Sequence, residues 1–134
     1  MGPCKYSFLK QWFIITYADC SELVFSCKNN HYIQTWMEKH GYKLFKNELD
    51  KEGLDKFRFA LIESTEIMPD EFEKHFPDEY IRDYTLWNTE KGCYWYSVED
   101  YKKHVKKEMW ELLINLQEVI ENKGKIEYHM FYNH

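Results

Sequence analysis

Pro77-Asp78 stands upstream of Asp100-Tyr101-Lys102, so the chain carries the letters of a two-metal nuclease: a proline–aspartate pair, then acid-x-lysine. That chemistry needs the acids and the lysine on neighbouring strands, converging on one metal ion and one water. Here both acids read as first turns of helices, which is the wrong geometry. The histidines His31, His40, His75, His104, His129 and His134 contain no His-x-x-x-His pair that one helical face could present to zinc. Gly2, Gly41, Gly53, Gly92 and Gly124 are too far apart to build a phosphate-cradling loop or a dinucleotide turn. No Gly-x-Ser-x-Gly elbow surrounds Ser7, Ser21, Ser26, Ser64 or Ser97. The sequence therefore names no catalytic residue, no metal ligand and no cofactor. The enzymatic alternative is a small hydrolase or nuclease whose site assembles from scattered Asp, Glu and His.

The most pronounced pattern is a tandem phrase, Pro69-Asp70-Glu71-Phe72-Glu73-Lys74-His75-Phe76 followed by Pro77-Asp78-Glu79-Tyr80-Ile81-Arg82-Asp83-Tyr84. Proline suits the first position of a helix, where its missing N–H is not needed. The two carboxylates behind it favour the positive end of the helix dipole. Phe72, Phe76, Tyr80 and Tyr84 recur every four residues, which keeps the rings near one another. The phrase predicts two short helical turns, aromatic on one side and acidic on the other. Its acids are Asp70, Glu71, Glu73, Asp78, Glu79 and Asp83, set against Lys74 and Arg82, with Glu48, Asp50, Glu52 and Asp55 ahead of them. A single such charge is ordinarily a solvated face or a cap. The cluster beside aromatics suits a basic groove on a partner, charge speeding the encounter and rings holding the complex.

Composition points the same way. The formal charge of −5, with 2 arginines (Arg58 and Arg82) against 16 lysines, argues against direct nucleic-acid binding. Such domains carry a basic stripe and favour arginine for bidentate contacts. The 5 Trp, 11 Tyr and 9 Phe are many rings for 134 residues, so some should reach the surface as interface anchors. A chain of this length reads as a single domain, residues 1–134, burying roughly two-thirds of its unfolded surface. Cys4, Cys20, Cys27 and Cys93 form no Cys-x-x-Cys pair, and a Cys20–Cys27 pairing stays open. With no leader-like start and no apolar run near the ~20 residues of a membrane span, a cytoplasmic home is expected. The Lys-, Asn-, Tyr- and Phe-rich vocabulary also follows from an AT-rich coding sequence, as in low-GC bacteria, their phages or viruses.

The elements that would carry these residues follow from periodicity. Residues 12–17 are a β-branched and aromatic run, a buried strand. After a turn at 18–21, residues 22–27 alternate with Leu23, Phe25 and Cys27 on one face, closing a hairpin. Asn29 or Asn30 caps a helix with the stripe Ile33, Trp36, Met37 and His40, stopped by Gly41. Residues 42–46 read as a short strand, 47–55 as a loop or hairpin end, and 57–62 as a further strand on the alternation of Phe57, Phe59 and Leu61. Residues 85–96 are irregular. Ser97 caps the clearest helix, 97–123, whose arc is Val98, Tyr101, Val105, Met109, Leu112, Leu113, Leu116, Val119 and Ile120. After Gly124, residues 125–132 alternate as a last strand. The expected fold is α+β, an antiparallel or mixed sheet of about five strands with three to four helices packed on it. Its core joins the long helix to the strands at 12–17 and 57–62.

Trp110 and Ile114 lie opposite the apolar arc of the long helix, among Lys103, Lys107 and Glu121, and either pack under residues 85–96 or meet a partner. The size, acidity and aromatic content resemble what is often seen in immunity proteins that neutralise nuclease toxins and in phage inhibitors of host defence, guilds without a shared motif. The expected function is non-enzymatic: binding and inhibiting a basic, nucleic-acid-handling partner protein. Asp70, Glu71, Glu73, Asp78, Glu79 and Asp83 would steer, and Tyr80, Tyr84, Trp87, Trp110 and Ile114 would anchor. A structural or regulatory subunit is the remaining alternative, and the sequence is silent on self-association.

Overall fold

The computed structural model describes residues 8–42, 46–81, 98–121 and 124–133. Strand β1 (Phe8–Thr16) turns through a tight loop into β2 (Glu22–Lys28). Asp19 holds that loop by accepting from the backbone and hydroxyl of Ser21, and Tyr17 N–H donates to Ser21 O at 2.9 Å. Helix α1 (His31–Lys39) follows, and the Asn30 side chain accepts from Ile33 N–H as its N-cap. Gly41 takes φ +91°, the left-handed stop that a side chain disfavours. Then come β3 (Lys46–Glu48), α2 (Lys51–Leu61), a π-helical turn (Ile62–Ile67), a 3-10 turn (Pro69–Glu71), α3 (Phe72–His75) and a second 3-10 turn (Asp78–Tyr80). The long helix α4 (Val98–Glu121) leads into β4 (Lys125–Asn133).

The sheet is antiparallel, in the order β2-β1-β4-β3. Side chains alternate across it. Leu9, Gln11, Phe13 and Ile15 of β1 are buried, as are their register partners Cys27, Ile126 and Tyr128. The arc of α4 covers this face: Tyr101, Val105, Met109, Leu112, Leu113, Leu116 and Val119 are each 0% exposed. A polar seam crosses the core where α1 begins. Gln11 Nε2 donates to Asn30 O at 2.9 Å and to Tyr128 Oη at 3.1 Å, and Asn30 N–H returns a bond to Gln11 Oε1 at 2.9 Å. Tyr101 donates to Asn29 O and accepts from His31 N–H. Each buried amide thus finds a partner, as burial demands.

Two expectations need correction, and the α+β class stands with four strands among the described residues rather than about five. The strand expected at 57–62 is helix α2 and the start of the π turn. Phe57 and Leu61 are 0% exposed while Phe59 is 57% exposed, a helical burial pattern that alternation cannot give. The loop expected at 47–55 holds part of β3 and the first turns of α2, nucleated by Asp50, whose carboxylate caps Gly53 N–H at 2.8 Å. The core therefore receives Phe57 and Leu61 from a helix. The strand expected at 42–46 lies partly outside the described residues, with Lys46 opening β3. The Ser97 cap and the irregular 85–96 passage also lie outside them. Cys20 is exposed, Cys27 is buried, and both are free thiols. No helix among the described residues is long and apolar enough to cross a membrane.

Candidate partner-binding face

The acids of the tandem phrase lie on the connection between α2 and α4. In the first copy Phe72 and Phe76 turn inward, 1% and 0% exposed, with ring centroids 5.5 Å apart. Asp70 and Glu73 are left exposed and Glu71 half-buried. The helix cannot run into the second copy. Phe76 precedes Pro77, which disfavours a helical conformation at that residue, and it takes φ −130° and ψ 74°. Pro77 then stands at the N-cap of the second turn, ahead of exposed Asp78 and Glu79. Tyr80 is half-buried, and Lys39 Nζ sits 5.0 Å from its ring centroid. Asp83, Tyr84 and Trp87 lie outside the described residues.

Helix α4 supplies cations to this acidic side. Lys102 Nζ bonds Glu73 and reaches Asp78 at 2.9 Å, while Tyr32 donates to the same Asp78 oxygen at 2.8 Å. Partial burial alone would raise the Asp78 pKa, but the bonds from Lys102 and Tyr32 outweigh it and hold the carboxyl below its ordinary value. Desolvation would lower the Lys102 pKa, and the two carboxylates reverse that and raise it. Desolvation, then Asp78, pushes the Tyr32 phenol far up, so it stays a donor. Glu71 pairs with Lys74 at 3.4 Å. Asp70 and Glu79 lie exposed outside these pairs.

Trp110 and Ile114 point away from the core of α4, 46% and 47% exposed. Helical geometry places Trp110 about 12 Å along the axis from Lys102 and roughly a quarter turn around it. Exposed Lys103 and Lys107 lie on the same outward side. The structure adds three exposed apolar residues that sequence reading passed over: Phe59, Ile67 and Met68, at 57%, 66% and 46%. The hydroxyls of Ser64 and Thr65 bond the carbonyls of Ala60 and Leu61, and the helix widens into its π turn there. Met68 N–H then bonds Glu63 O at 3.1 Å, and Glu71 N–H bonds Met68 O at 2.9 Å. Ile67 and Met68 are thereby fixed beside the acidic turn. Phe59 would share a face with Phe57 and Leu61 in the expected strand, and only the helix, at 100° per residue, turns it opposite them.

One place to test the enzymatic alternative among the described residues is a cavity of about 440 Å³ lined by Lys10, Gln11, Ser26, Cys27, His104 and Glu108. Glu108 accepts from Asn30 Nδ2 at 2.8 Å and lies 3.5 Å from His104 Nε2. Burial, and then the Glu108 charge, pushes the Cys27 thiol well up, the opposite of what a thiolate nucleophile needs. Among the described residues no group of three or more His, Cys, Asp or Glu is placed to hold a metal ion. The nuclease letters partly meet, since Asp78 contacts Lys102. They do so from a 3-10 turn and a helix, and Asp100 is exposed in the first turn of α4. No protein family, curated protein or solved structure matches this chain, so the face is read from its own geometry.

Proposed function

We propose that the protein is a non-enzymatic binding protein that inhibits a basic, nucleic-acid-handling partner by covering its working surface. One observation carries the reading: Trp110 and Ile114 stand one turn apart on the outward side of a helix whose inward residues from Tyr101 to Val119 are buried. Large apolar side chains in that position contribute nothing to the core, and aromatic anchors of this kind dominate protein interfaces. The acids Asp70, Glu71, Glu73, Asp78 and Glu79 supply the complementary charge. Lysine pairing reduces that charge, which leaves Asp70 and Glu79 as its strongest outward points. Affinity capture from the native host, run in parallel with wild type and a Trp110→Ala/Ile114→Ala variant, tests the reading. A basic nucleic-acid-handling protein should be retained by wild type and lost by the folded variant. Equal retention by both removes α4 from the interface.

A further inference from the structure

The two edges of the sheet are built differently. β3 is three residues long and reads Lys-Asn-Glu, short and charged in the way natural edges avoid unwanted pairing. β2 has seven residues, no proline, and unbroken register with β1 from Lys10↔Lys28 to Thr16↔Glu22. Among the described residues no strand pairs with its other side.

The hydrogen-bond phase shows which groups that side offers. Asn29 N–H bonds Leu9 O at 2.8 Å and Tyr17 N–H bonds Ser21 O at 2.9 Å, one beyond each end of the ladder. In an antiparallel pair hydrogen-bonded positions alternate, so Leu23, Phe25 and Cys27 bond to β1. The N–H and C=O groups of Glu22, Val24, Ser26 and Lys28 consequently point to the free edge. The side chains there are incompletely covered as well. Val24 is 56% exposed, Leu23 36%, and Phe25 is half-buried on the core face.

We infer that β2 pairs antiparallel with β2 of a second copy, about a twofold axis through Phe25 perpendicular to the sheet. The strand reads Glu-Leu-Val-Phe-Ser-Cys-Lys, so that axis sets Glu22 opposite the Lys28 position of the second copy and Lys28 opposite its Glu22. It also sets Val24 opposite Ser26, and these are the residues whose backbone groups face outward. Each pair therefore exchanges both hydrogen bonds, and both ends carry opposite charges across the strand, a favourable pairing in sheets. Phe25 meets its own copy. Leu23 of the second copy falls opposite Cys27, one of the residues lining the cavity beside this edge. The product is one continuous sheet with both sets of helices on the same face, an isologous dimer. This inference does not depend on the partner-binding reading, which uses α4.

Sedimentation equilibrium of the full chain at low salt, from roughly 1 µM to 1 mM, should show a monomer–dimer equilibrium. Val24→Pro removes an outward N–H and none of the ladder to β1, so it should abolish dimerisation with the circular dichroism spectrum retained. Glu22→Lys and Lys28→Glu should each weaken the dimer about tenfold by placing like charges opposite one another. Mixing the two single variants, or combining them in one chain, should restore it. A protein that stays monomeric at the top concentration overturns the inference. So does a dimer indifferent to Val24→Pro, or single charge variants that neither weaken alone nor recover on mixing. The mixing experiment keeps the test decisive if the proline variant fails to fold.

Discussion

Tyr32 donates its phenolic hydrogen to Asp78 at 2.8 Å, tying the first turn of α1 to the second copy of the acidic phrase. The Tyr32 ring is 0% exposed, packed edge-on against Phe72 and stacked on Tyr101. With Lys102 on the same oxygen, Asp78 is a structural tie as well as a surface charge. Its folded pKa lies below the ordinary carboxylate value, so its contribution is complete above that value and is lost as pH falls through the lowered one. For Lys102, raised in the folded state, the contribution is complete below the ordinary ammonium value and is lost as pH rises through the raised one. Both are in place at neutral pH. Solvent screening at a carboxylate this exposed keeps the tie within about 1 kcal/mol. Thermal melts between about pH 5 and pH 2 should fall more steeply for wild type than for Asp78→Asn. Parallel curves would show that the tie adds nothing.

The two sides of α4 should respond oppositely to truncation. Leu116 is 0% exposed, and Leu116→Ala should cost ~2–5 kcal/mol by urea denaturation. Trp110→Ala should change stability by less than about half a kcal/mol, since nearly half of that ring's surface is already in water. A large loss at Trp110 would mean the ring packs against the protein itself.

Helix α2 gives a sharper contrast because two aromatics sit two residues apart. Phe57→Ala should cost ~3–5 kcal/mol, for Phe57 stacks on Phe13 and tilts against Trp36 in the core. Phe59→Lys should be nearly neutral. In a strand the two would share one face and lose stability together, so similar costs would restore the strand.

That contrast shows what was legible in the chain. The long arc of α4 and the first hairpin each had one strong period that local physics decided, while the α1 cap was narrowed to Asn29 or Asn30, of which Asn30 holds it. Residues 57–61 fit period 2 on letters alone, and the helix rests on the Asp50 cap of Gly53 N–H together with the tertiary burial of Phe57 and Leu61. Gly53 read as a loop signal instead. At the candidate face, the acids and the outward phase of Trp110 and Ile114 were readable from spacing. Lys102 was not, because it meets Glu73 and Asp78 only through tertiary packing. Ile67 and Met68 owe their exposure to a π turn that no periodicity announces.

Gly124 should be intolerant of a side chain for a reason of space. A Cβ there would come 2.5 Å from Thr16 O and 2.9 Å from Val119 Cγ1, where the end of α4 meets the start of β4. The nearest atom is backbone and cannot swing aside. Gly124→Ala should destabilise by about 1–3 kcal/mol, seen as a lowered urea midpoint with an unchanged slope. An unchanged midpoint would show that the strand entry shifts freely.

Charge and anchor should separate kinetically once a partner is in hand. Reversing Glu73 or Asp78 would also release Lys102, mixing a fold effect with a surface effect. Asp70 and Glu79 are exposed outside those pairs, so Asp70→Lys/Glu79→Lys is the clean electrostatic variant. It should slow association several-fold at low salt, the difference shrinking as salt rises, with dissociation little changed. Trp110→Ala should do the reverse, speeding dissociation by an amount equivalent to ~2 kcal/mol or more with association nearly intact. Ile67→Ser/Met68→Ser decides how far the face extends. Faster dissociation there would join the π turn to the interface, and unchanged kinetics would confine it to α4. If the Asp70/Glu79 variant binds at the wild-type rate at low salt, the acidic phrase is a solvated surface and recognition rests on the apolar side chains alone.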